Sequence, residues 1–200
     1  MDFVKRTKIQ MGLALDVIRA SVFADHIAQL STREHAWPAL HDMCYVDAVN
    51  TWNQLFGDTK QASHWSHYQK EFLLPAKLPG YQPFSARLIC EFLGTDRPRW
   101  DSFVRGMIDA RNKRVAHLDH RVENVELFRL DWALFSSIAY RDWMLGVMEK
   151  IAQMQGKTSQ SISTQEVIDS YRVQIMCALH PGRDWGSLLG GSGQSNSERG

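Results

Sequence analysis

The run FVKRTKIQMGLALDVIRASVFADHIAQL, residues 3–30, decides the class of fold. It contains no proline and a single glycine, and Val4, Met11, Leu15, Ile18, Val22 and Leu30 recur at helical steps. The spacing predicts one long first helix. A second helix is expected from Pro38, which a first turn tolerates, through Leu40, Met43, Cys44, Val49 and Trp52 to a glycine stop at Gly57. A shorter one is expected over about 60–73, before Pro75, Pro79, Gly80 and Pro83 break the periodicity.

Further along, residues 84–93 read as a helix ending at Gly94, and Thr95 or Asp96 caps another that runs through Trp100, Val104, Met107 and Ile108 to Val115. Residues 118–129 are irregular, with a weak Val122/Val125/Leu127 alternation that suggests a short extended piece. Asp131 opens a helix through Trp132, Phe135, Ile138, Tyr140 and Met148, closed by Gly156, and a last helix is expected over 164–179. Long helices joined by short connections imply antiparallel neighbours. The expected fold is therefore all-α, an antiparallel helical bundle with an additional C-terminal helix. Seven Trp and nine Phe would fill much of its core.

With 200 residues, 44% apolar and 22% charged, the chain is long enough to bury such a core without disulfides or metal. A single domain over 1–180 is expected, followed by a flexible tail over 181–200, where nine of the last fifteen residues are Gly or Ser. Cys44, Cys90 and Cys177 are odd in number, widely spaced and without a CxxC, so they point to a reducing compartment and to inert thiols at Cys44 and Cys90. Lys5, Arg6 and Lys8 precede a stretch that Gln10, Asp16 and Arg19 interrupt too early for a signal peptide, and no run is long enough to span a bilayer. A cytoplasmic protein without membrane contact is expected.

A net charge of +1 excludes a protein that coats nucleic acid indiscriminately, so any basic site must be local. One is present. Residues 97–121 hold seven basic side chains (Arg97, Arg99, Arg105, Arg111, Lys113, Arg114, Arg121) against Asp101, Asp109 and Asp119, which leaves the rest of the chain at −3. Such a segment suits a phosphate-bearing ligand; equally, it is a solvated helix face with i,i+4 pairs such as Asp101/Arg105. Inside it lies Arg111-Asn112-Lys113-Arg114-Val115-Ala116-His117, an Arg followed by an amide and, after five intervening residues, a His. Arg19/His26 and Arg114/His120 share the bare spacing, but only Arg111/His117 has the polar residue directly after the Arg.

This string resembles the Arg-x4-6-His signature of the HEPN superfamily. With Leu118-Asp119, and with Trp52-Asn53-Gln54-Leu55-Phe56-Gly57 and His64-Trp65 upstream, it looks like the abortive-infection (AbiU-type) branch over about residues 1–155. The resemblance implies an α-helical, metal-independent endoribonuclease of bacterial toxin or phage-defence type. It also implies RNA as substrate, no cofactor, a homodimer whose two motifs share one cleft, and an antitoxin or defence partner. Where the toxin branch carries a modifiable Tyr two residues after the His, this chain has Asp119, so regulation by tyrosine AMPylation is not expected.

The residue types suit that chemistry independently of the name. Cleavage of RNA through its own 2′-OH needs a group that moves a proton near neutral pH, which His117 supplies. Negative charge gathering on the phosphorane is met by a permanently charged fork, Arg111. Asn112 would donate to phosphate or orient His117, while Lys113, Arg114, His120 and Arg121 would hold the flanking RNA. Geometry adds a condition: six residues turn an ideal helix by about 600°, leaving positions 111 and 117 roughly 120° apart, so the helix must end or bend before His117.

Other readings use the same side chains. Arg111 would bind a carboxylate of a neighbouring helix and His117 would cap a helix end, leaving a non-catalytic module that binds RNA or a protein through the basic 97–121 face. His64 and His67 lie at i,i+3 but lack a third ligand, and His117-Leu118-Asp119-His120 offers too few carboxylates for a catalytic metal pair, so no metal is expected. Gly-rich phosphate loops, GxSxG and dinucleotide fingerprints are absent from the sequence.

Overall fold

The computed structural model describes residues 3–29, 36–73, 80–115, 130–158 and 162–179. They form helices α1 (Phe3–Gln29), α2 (Ala36–Phe56), α3 (Trp65–Tyr68), α4 (Ala86–Leu93), α5 (Arg97–Ala110), α6 (Asp131–Met154) and α7 (Thr164–Leu179). Two π-helical turns, Gln69–Leu73 and Arg111–Val115, continue α3 and α5. No strand occurs among the described residues, and the fold is an all-α helical bundle. The expected extended piece near 122–127 and the tail over 181–200 lie outside the described residues.

Local chemistry explains the boundaries that the sequence placed well. Ser85 Oγ accepts from the Leu88 amide at 3.3 Å to open α4, and Gly94 closes it at φ +62°, a left-handed conformation that costs glycine little. Asp96, rather than Thr95, caps α5: its Oδ1 accepts from the Arg99 amide at 2.9 Å. The helix expected over 60–73 starts only at Trp65. Ahead of it, Asp58 Oδ1 takes the Lys60 amide at 2.9 Å and His64 Nδ1 accepts from the Ser66 amide at 3.2 Å, so side chains bind backbone donors that a longer helix would need.

Packing around α1 differs from the apolar stripe expected of it. Val4 is exposed, while Thr7, Gln10, Ala14, Val17, Ser21 and Ala24 are buried at alternating steps of three and four. This is a core seam built from small and polar side chains. Small residues let α2 and α6 approach closely, and the polar ones find partners. Gln10 Nε2 donates to the Ser63 carbonyl at 2.7 Å, and Tyr140 Oη donates to Gln10 Oε1 at 2.7 Å, joining α1, the turn before α3, and α6. Thr7 Oγ1 and Tyr68 Oη lie 2.7 Å apart in the same seam. Ile18 and Val22 meet Ile138 in a second, smaller cluster, against which Ile168 and Tyr171 of α7 pack.

The main core is aromatic, as expected. Trp52 is fully buried, with ring centroids 5.3 Å from Phe56 and Phe103 and 5.9 Å from Trp100, and its indole N–H donates to Ser136 Oγ at 2.9 Å. Phe84 extends this cluster to Tyr140 at 4.9 Å and to Trp65 and Trp143 at 5.3 Å. Met43, Phe135 and Met148, placed on helix faces by periodicity, are exposed. A buried cation, Arg141, ties α6 to α7 by donating to Thr164 Oγ1 and to the Ile162 carbonyl, both at 2.6 Å, and to Asp142 Oδ1 at 3.0 Å.

Replacing Tyr140 by Phe strands Gln10 Oε1 inside the seam. The variant is expected to lose about 1–3 kcal/mol in urea denaturation with an unchanged slope; a loss below 0.5 kcal/mol, on the order of a surface substitution, would contradict the packing described.

Candidate functional site

The basic segment is carried by α5 and the π turn that follows it. Trp100, Phe103, Met107 and Ala110 are buried on the core side, which directs Arg105, Asn112 and Lys113 to solvent and leaves Arg111 half-buried. Regular α-helix ends at Ala110, and the turn Arg111–Val115 is wider, with bonds from i to i+5. Regular α geometry thus gives way seven residues ahead of His117, which itself lies outside the described residues.

Asn53 of α2 sits directly behind this junction. It is fully buried, and its Nδ2 donates to the Val49 carbonyl at 2.8 Å and to the Met107 carbonyl at 3.0 Å. Met107 O also receives the amide of Arg111, which is shared with Ile108 O. Oδ1 of Asn53 is buried without a hydrogen-bond partner, an omission that costs about 1–3 kcal/mol. One residue of the 52–57 stretch, Asn53, thus reaches the helical turn that leads into Arg111. Sequence reading attached no role to Asn53; two amides, Asn53 and Gln54, stand side by side between Trp52 and Leu55, and nothing in their order tells that the first is buried and the second exposed.

Charge is distributed unevenly along the segment. Arg97 donates to Asp101 at 2.8 Å and Arg99 lies 3.8 Å from Asp96, so the two leading arginines face carboxylates. Asp101 pairs with Arg97, not with Arg105 as the i,i+4 reading had it. Beyond these two pairs the described part of the segment carries Arg105, Arg111 and Lys113 against Asp109, with Arg111 and Lys113 at the end of α5, where the helix dipole favours cations. Arg111 turns its fork onto its neighbour: Nε and Nη2 donate to Asn112 Oδ1 at 3.2 and 3.0 Å. Among the described residues this guanidinium engages an amide oxygen rather than a carboxylate of a neighbouring helix.

The structure brings together Arg111, Asn112 and Lys113, with the backbone of Arg114 in the same turn. His117, His120 and Arg121 lie outside the described residues, as does the side chain of Arg114.

The chain matches no protein-family model, no curated protein and no solved structure.

His64 and His67, the pair at i,i+3, are divided between structural duties. His64 is buried as the N-cap of α3, and His67 Nε2 lies 2.5 Å from the Thr59 carbonyl. Among the described residues no group of three His, Cys, Asp or Glu side chains is arranged to hold a metal. No helix among them is long and apolar enough to cross a membrane. All three cysteines are free, and burial pushes the Cys44 and Cys90 thiols up, which disfavours the nucleophilic thiolate. Cys44, however, is only half-buried.

Desolvation, assisted by the charge of nearby His67, lowers the His64 pKa to about 4. The imidazole is then neutral in the folded chain while its unfolded counterpart takes a proton near pH 6.5. Stability from this group is fully present above about pH 6.5 and is lost as pH falls toward 4, by an amount on the order of 2 kcal/mol. His64→Gln is expected to flatten the fall of the urea midpoint across that window; an unchanged slope would show that His64 is not the titrating group.

Proposed function

We propose that this chain is a HEPN-like, metal-independent endoribonuclease with a bacterial toxin or phage-defence role. In this reading it acts as a homodimer in the cytoplasm, and two Arg111/His117 motifs face one cleft. The observation that carries the reading is the placement of Arg111: half-buried, at the switch from α to π geometry, with its fork held by Asn112 at the basic end of α5. Preorganised donors aimed at developing charge are what transition-state stabilisation requires.

The reaction follows from the residue types. His117 takes the proton of the ribose 2′-OH as that oxygen attacks the adjacent phosphorus. The bond from phosphorus to the 5′-oxygen breaks, and the products are a 2′,3′-cyclic phosphate and, after protonation, a 5′-hydroxyl. Arg111 neutralises the equatorial oxygens of the phosphorane. Asn112 acts first through Arg111, by fixing its fork, and its Nδ2 supplies two further donors for phosphate. Lys113, Arg114, His120 and Arg121 hold the flanking backbone, and no step calls on a cofactor.

A second reading, the non-catalytic module that binds RNA or a protein through the same face, draws on the same contact. In the free protein the fork of Arg111 is already engaged by Asn112.

The two readings separate with total RNA in EDTA. Wild type is expected to leave 2′,3′-cyclic phosphate ends, His117→Ala to lose about 10²–10⁴-fold in rate and Arg111→Ala about 10²–10³-fold. RNA left intact by wild type, but bound with an affinity that falls with salt, would replace the enzyme by the binding module.

A further inference from the structure

We infer that Asn53 is a positioning residue for Arg111: by donating its buried amide to the Met107 carbonyl, it sets the π turn in which Arg111 stands. The consequence for cleavage rests on the ribonuclease reading above; the placement of the turn does not.

Both donors of the Asn53 amide are committed to backbone carbonyls, one in its own helix and one in α5. The bond to Val49 O is local to α2 and fixes the side chain, so the second N–H points at α5 without rotational choice. The target is the carbonyl one turn before Arg111, and the Arg111 amide already shares itself between that oxygen and Ile108 O. An added donor on Met107 O weakens the hold of the ordinary i→i+4 bond there, and directly beyond it the chain widens into the π turn. Packing alone does not account for Asn53: an apolar side chain of similar size would fill the site without leaving Oδ1 unpaired.

Gly57 supports the same account from the other side. A Cβ at this position would stand 2.5 Å from Asn53 Oδ1 and 2.8 Å from the Asn53 carbonyl. The glycine therefore leaves the amide room to keep its aim, and a methyl group there would displace the Asn53 amide and strain the end of α2 at the Asn53 carbonyl.

Two substitutions thus disturb one hydrogen bond by different routes. Asn53→Ala removes the donor, and Gly57→Ala keeps Asn53 but displaces it. Tyr140→Phe, which breaks a buried bond elsewhere in the core, serves as the control for general destabilisation. Amide hydrogen exchange is read residue by residue in the full chain, at a temperature where every variant is folded. Exchange across Arg111–Val115 is expected to accelerate roughly tenfold more in Asn53→Ala and Gly57→Ala than in the control. Should Asn53→Ala not fold, Gly57→Ala answers alone. Exchange no faster than in the control would overturn the proposal.

RNA cleavage supplies the second arm. A misaimed guanidinium is expected to lower kcat by up to about 100-fold in both variants, with KM changed less than about twofold, against a control near wild type. Altered exchange with kcat at the control value would overturn the positioning role. Altered exchange with a wild type that cleaves no RNA would uphold the placement of the turn and remove the ribonuclease reading instead.

Discussion

The amide of Asn53 is the contact through which the aromatic core meets the basic end of the molecule. Its neighbour Trp52 is enclosed by Phe56, Trp100 and Phe103, so α2 and α5 are already held together by apolar burial. Burial by itself does not fix where along α5 the helix should change character. A directional bond from Nδ2 to the Met107 carbonyl does, because it acts at one oxygen and no other. What lies beyond that oxygen, the π turn with Arg111, Asn112 and Lys113, inherits its position from the core.

Much of the fold was legible because helix boundaries are written in local chemistry. Gly94, Asp96 and Gly156 act as caps or stops where the sequence placed them, and α7 spans the expected 164–179, whereas Ser85, read as part of a helix over 84–93, turned out to be the cap that opens α4. The face of α1 was harder to read. Hydropathy favours Val4 and Met11, whereas the buried seam contains Thr7, Gln10 and Ser21, which can be inside only because other elements are small enough to approach or carry the matching polar group. Such partners are distant in sequence, Ser63 and Tyr140 for Gln10, and no periodicity reveals them. The same holds for Arg141, a charged residue that reads as surface and is buried by bonds to Ile162 and Thr164.

At the candidate site, the sequence singled out the segment but not its support. Arg111 and Asn112 stand together as their adjacency suggests, yet the contact between them, fork onto amide oxygen, differs from the roles read for Asn112, which were to donate to phosphate or to orient His117. The charge reading also shifted: Arg97 and Arg99 face Asp101 and Asp96, so the start of α5 contributes less to attracting an anion than Arg105, Arg111 and Lys113 further along. Coulombic attraction falls off within about 8–10 Å in physiological salt, so a concentrated cluster attracts one phosphate group better than an even stripe would. Cations beside a preset guanidinium are the physical basis for the RNA-directed site we propose.

In the proposed reaction the strand is cut by its own 2′-oxygen. The decisive experiment incubates the protein in EDTA with a mixed-sequence RNA pool and with the same pool 2′-O-methylated at every ribose, scored by the chemistry of the new 3′ ends. Cleavage of the unmodified pool to 2′,3′-cyclic phosphates, with the methylated pool intact, is the predicted result. Cleavage of the methylated RNA, or an unmodified pool left whole at saturating protein, would contradict it.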